Sequence, residues 1–270
     1  MMPRLSRGLL ALFLLGLLAA SACRAEGAEP PESPPAGWPE SLDDFTVTWT
    51  AEPGIDLTTG PAVAARAYME SYYLAYLTTD DKYLYPGFAQ AVDSNQADGP
   101  DGTEKLWPEP YRPKTWIGTA RHHILRIDQS GRDVAVVGCV YSYSSAEKTD
   151  AGFEANIGGT GPDAGISAIR IGLEAPENSA DLPVQEGPSR APFENVFGGW
   201  RVTNHQGGFL ATAEWPDHAK DVEQCVAQAP EPPEARTFIP TSPYPRSAFP
   251  VLPATPGWPA KPDAPTDQPG

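Results

Sequence analysis

The sequence predicts an α+β domain, and three observations carry that prediction. "FTVTWT" at 45–50 alternates strictly between apolar residues and threonine, as a half-buried strand does. A run of good helix formers without interior Gly or Pro follows at 61–77. From 115 to 205 come alternating or β-branched segments separated by turn residues. Helix first and strands after, rather than regular alternation, is the pattern of helices packed to one side of an antiparallel sheet.

Ahead of that domain the chain reads as an export signal, residues 1–22. Arg4 and Arg7 form a positive segment, Leu9–Leu18 an apolar core, and Ala19, Ala20, Ser21 and Ala22 a small-residue end. The apolar run is about 14 residues, short of the roughly 20 needed to span a bilayer, so no spanning segment is expected in the mature chain. Ala20-Ser21-Ala22-Cys23 resembles the lipobox of bacterial lipoproteins and departs from it at Ala20, where a branched residue is usual. That resemblance implies lipidation at Cys23 and a place on the outer face of the cell membrane. Plain secretion after an A-x-A-like site remains the alternative. Residues 23–41 are rich in Pro, Glu and Ala and are expected to form an extended tether.

There are three cysteines. In an oxidising compartment Cys139 and Cys225 can pair, with Cys23 accounting for the odd one; two buried free thiols are the other reading. The net charge is −16, and loss of Arg4 and Arg7 with the signal leaves −18. Such a chain repels nucleic acid and anionic lipid heads. Any membrane hold must therefore come from a lipid chain.

Within the domain, expected over 42–228, each element has its own signal. Thr59 or Gly60 caps the helix at 61–77 and Pro61 sits in its first turn. Tyr68, Tyr72 and Tyr76 stack along one side of it, while Ala67, Leu74 and Leu77 line another. Tyr83–Val92 reads as a short helix or irregular cover. Residues 93–113 form a polar loop. "TWIGTARHHILRI" (115–127) and "DVAVVGCVYSYSS" (133–145) flank "DQSGR" as a hairpin. Strands follow at 166–174 and 199–205, and a short helix at 217–227 would bring Cys225 towards Cys139.

A leading helix across a curved antiparallel sheet resembles the cone of nuclear transport factor 2-like, or cystatin-like, proteins. "AEPGIDL…GPAVAARAYMES" also resembles uncharacterised exported proteins of high-GC actinobacteria. Together these resemblances cover about 45–225. They imply a cavity between helix and sheet, into which isomerases and cyclases of this fold place a Tyr, Asp or His.

His122 and His123 point to opposite faces of a strand and cannot share a metal ion. One of them must face inward. His122 shares its register with Trp116, Ala120 and Ile124, and His123 shares its own with Ile117, Leu125 and Ile127. The inward imidazole is expected to meet the Tyr68, Tyr72, Tyr76 stripe. The pocket candidates are therefore Tyr68, Tyr72, Tyr76 and His122; no catalytic residue, cofactor or metal is assigned.

"DSNQADGPDGTE" (93–104) approaches a calcium loop but has Ala97 at the fifth position and Asp98 at the sixth, so it reads as an acidic turn. "GGTGPDAG" (158–165) leads into a strand rather than a helix and reads as a loop. The nucleophile-elbow, zinc-protease and C-x-x-C patterns do not occur. In the tail, 229–270, prolines recur every third residue from Pro250 to Pro265, the period of a polyproline II ridge. The tail is expected to be disordered, or a spacer in the cell wall.

The function expected is that of a cell-envelope lipoprotein with a non-enzymatic domain that binds a small apolar ligand or an envelope protein. A small acid–base enzyme using the aromatic cavity, and a wall-embedded protein acting through its tail, are the alternatives.

Overall fold

The computed structural model describes residues 36–93, 105–109, 112–178, 182–207 and 215–261. The signal, Cys23, the tether to residue 35, the acidic turn at 94–104 and the last prolines, 262–270, lie outside the described residues.

The architecture is α+β, with eight strands in one largely antiparallel sheet and few helices. Strand β1 (Phe45–Ala51) is followed by helix α1 (Gly60–Thr78) and the short helix α2 (Phe88–Ala91). The sheet continues with β2 (Trp116–Ser130), β3 (Asp133–Tyr141), β4 (Ser145–Thr149) and β5 (Gly152–Ala155). Then come β6 (Ile166–Glu174), β7 (Arg201–Gly207), helix α3 (His218–Ala227) and β8 (Pro243–Tyr244). No helix among the described residues is long and apolar enough to cross a membrane.

Strand β2 organises the sheet. Its length lets β4 pair with Trp116–Gly118 and β3 with Arg121–Ser130, both antiparallel, while β1 pairs along Gly118–Ile124 in parallel. The parallel pairing follows from the connection: β1 reaches β2 by crossing over through α1, and a crossover returns the chain in the same direction. Gly118, where the β1 and β4 pairings meet, has φ +88, and a Cβ there would come within 2.3 Å of the Ser144 carbonyl. The stretch 133–145 therefore divides at Ser142–Ser144 into β3 and β4. The polar hairpin β4–β5 and the two-residue β8 carry no alternating apolar signal.

Pleating sends alternate side chains to opposite faces. On one face Ala120, Ile124, Val136, Val140, Ile169 and Ile171 pack against α1. On the other, Val137, Cys139, Tyr141 and Ala168 pack against Trp215 and α3. A disulfide joins Cys139 of β3 to Cys225 of α3, both fully buried. Beside it Asp221 accepts from Arg126 and from Trp215 Nε1.

The tail departs from expectation. Beyond residue 228 the chain does not leave the domain: β8 pairs with β5, Phe249 packs with Ile117 and Ala146, and Trp258 is 1 % exposed. Trp49 N–H donates to the Thr255 carbonyl at 2.6 Å, which covers the outer edge of β1. The physical reason lies inside α1. Arg66 is wholly buried and donates to four carbonyls: Leu57 (2.7 Å), Gln185 (3.3 Å), Pro256 (2.6 Å) and Gly257 (3.2 Å). Glu70, one turn on, accepts from the indoles of Trp49 (2.9 Å) and Trp258 (2.7 Å) and from Tyr85 (3.0 Å). Two buried charges need this many partners, and the tail supplies three of the seven. Residues 250–261 thus lie against the domain rather than forming a free ridge. At the other end Pro39 is buried and Trp38 Nε1 donates to the Leu42 carbonyl at 2.8 Å, so residues ahead of the expected boundary at 42 pack into the domain.

Candidate functional site

Helix α1 does not fill the face it covers. Between it and the sheet lies a cleft of about 740 Å³, within the range of ligand pockets. Its roof is Met69, Tyr72, Tyr73 and Tyr76; its floor includes Ala120, Val140, Ser167 and Ile169. Small floor residues opposite large roof residues leave the volume open. One wall is the 158–165 loop, and Trp116 lines another side.

At 3.6 residues per turn, Tyr72 and Tyr73 fall on opposite flanks of Met69. That spacing divides the expected constellation. Tyr68, Tyr72 and Tyr76 form a row as expected, with ring centroids 5.9 and 6.2 Å apart. The row meets His205 of β7: the Tyr68 hydroxyl lies 3.1 Å from His205 Nδ1, and Tyr72 stands edge-on to the same ring at 5.5 Å. His122 is the inward histidine of its pair, but it meets Tyr73, whose hydroxyl lies 3.2 Å from His122 Nε2, and stacks on Trp49 at 4.2 Å. His123 lies on the other face, beside Thr50 and Glu52. Contrary to expectation, His122 therefore does not meet the Tyr68 row; His205 does. Tyr68 is fully buried and does not line the cleft; Tyr72 and Tyr76 do.

Burial sets the protonation states. Desolvation pulls His122 down from 6.5 to about 3 and His205 to about 4, so both imidazoles are neutral near pH 7. Burial likewise raises Tyr73, which stays a neutral phenol. Among the described residues the charged lining is confined to Lys114, which pairs with Glu147 at 3.3 Å, and Asp163, which is exposed. Among the described residues no group of three or more His, Cys, Asp or Glu side chains could hold a metal ion. Chemically the site offers aromatic and aliphatic surface with neutral hydrogen-bonding groups.

Sequence reasoning missed His205, Tyr73 and the 158–165 loop. His205 lies in a strand with few apolar residues, and only its register opposite Ile171 puts it on the α1 face. Compared with known protein families, with curated proteins and with solved structures, the chain matches none.

Proposed function

We propose that this protein is a cell-envelope lipoprotein whose domain binds a small, largely apolar molecule in the cleft beneath α1. The observation that carries the reading is the cleft itself, roofed by Tyr72, Tyr73 and Tyr76 over an aliphatic floor. A helix lying over one face of the sheet, with a cleft between them, supports a nuclear transport factor 2-like cone. The anchor is Cys23, acylated, with the chain to residue 35 as tether; the intact mass of the protein from its host membranes tests this.

The acid–base reading is weaker. It needs Tyr72, Tyr76 and His122 around one substrate, and His122 instead contacts Tyr73 and Trp49. A base that loses its proton below pH 5 has little driving force at neutral pH. The wall-embedded reading is weaker too, because residues up to Trp258 are committed to the domain.

Nile red, a neutral fluorescent probe, tests the cleft. Ser167 lies on the floor, and Ser167→Trp would fill the space. Enhanced fluorescence with the native chain and none with Ser167→Trp is expected. Equal binding by both would remove the cleft as the site.

A further inference from the structure

Buried polar groups are nearly always paired, so an unpaired one needs an explanation. The indoles of Trp38, Trp49, Trp107, Trp215 and Trp258 each donate to an oxygen of the protein. Trp116 differs. Its ring lines the cleft, and its buried Nε1 has no partner. His218 also lines the cleft, and its buried Nε2 is without a partner as well. A ligand-sized space bordered by two unmet hydrogen-bonding groups asks for an occupant that carries oxygen.

The lining also restricts the charge of that occupant. Among the described residues Lys114 is the one Lys or Arg on the cleft, and Glu147 already occupies it. Asp163 is the one carboxylate among those described lining residues, and its side chain is exposed to solvent. Neither an anionic nor a cationic head would find an unspent counter-charge inside, and an unpaired buried charge is costly. The chain's net charge of −16 adds a further barrier to anions.

We propose that the cleft takes an uncharged amphiphile, with its apolar body between Tyr72 and Tyr76 above and Val140 and Ile169 below, and a hydroxyl or carbonyl oxygen accepting from Trp116 Nε1. This rests on the reading of the cleft as a binding site. The selecting features are neutrality and one acceptor oxygen, with His218 as a second polar contact.

Three probes of one chain length isolate the head group: 1-decanol, decanoate and decylamine. Each is titrated by calorimetry into the full chain at pH 7.5, decanol below its solubility limit and the charged probes below their micelle concentrations. Decanol is expected to bind about tenfold or more tightly than either charged probe, and Trp116→Phe to weaken decanol by about fivefold to tenfold, the loss of one hydrogen bond. Decanoate or decylamine binding as tightly as decanol would overturn the inference while leaving the cleft as the site. An unchanged decanol affinity in Trp116→Phe would overturn the assigned donor. If no probe binds, or Ser167→Trp binds decanol as well as the native chain, the cleft reading itself falls.

Discussion

The two faces of the sheet are built by opposite rules. The α3 face is stapled: a disulfide, the Asp221 contacts with Arg126 and Trp215, and an ion pair between Arg121 and Glu231 fix what lies on it. The α1 face is held at one end by the buried Arg66 and Glu70 and left open at the other, where the tyrosines overhang small floor residues. The difference teaches where function can reside. A face anchored on one flank keeps a rigid wall beside an unfilled volume, and the stapled face reaches that volume only through His218 and Val222 among the described residues.

The sharpest way to break this contrast is to remove the anchor. Truncation after Gln228 deletes Trp258 and the carbonyls of Pro256 and Gly257, leaving Arg66 and Glu70 buried and short of partners. A buried polar group left without its hydrogen-bond partner costs about 1–3 kcal/mol, and more where it is charged. With the edge of β1 uncovered as well, circular dichroism should show the truncated chain unfolded at 37 °C. Next in size is the staple. The disulfide closes a loop with a sequence separation of 86 residues, and replacing both cysteines by serine should lower stability by roughly 4 kcal/mol in urea melts.

Acid should act on the α1 face, because both of its buried histidines are held below their unfolded value of 6.5. As pH falls through 6.5 the unfolded chain takes up protons that the folded one refuses. Their stabilising contribution is thus present above that pH and lost as pH drops towards 4 and 3. Each imidazole accounts for about 1.4 kcal/mol per pH unit over that window. His205→Gln should flatten the stability curve between pH 6 and 4.5 by that slope. The smallest effect tests the contact that borders the cleft: Tyr73→Phe removes one hydrogen bond to His122 and should cost about 1 kcal/mol, with Nile red binding retained.

The elements that make these faces were largely legible in the sequence, since α1, the β2–β3 hairpin, β6 and α3 each carry a period or a turn signal of their own. The pairing of Cys139 with Cys225 was legible for the same reason: both lie in predicted elements, and the count of three leaves few choices. The anchor was not. Arg66 and Glu70 form a one-turn charged pair in a helix otherwise rich in Ala and Tyr, a pattern that also suits a solvent-exposed stripe. Their burial depends on Trp258, and contact across 188 residues leaves no local trace. A proline-rich composition masked the tail in the same way, because it describes the unbound preference of those residues rather than the carbonyls they offer. In the site, Tyr72 and Tyr76 were found by spacing, whereas His205 needed the register of β7 against β6.

The separation of Glu70 from Trp258 also sets a schedule. At about 5–20 residues per second, synthesis of the intervening 188 residues takes on the order of 10–40 s, during which the first helix exists without the indole that completes its carboxylate. The anchor of α1 stays incomplete until Trp258 has been made. The chain's native state is therefore expected to form only once Trp258 is available, and a nascent chain stalled before it should stay open to proteases.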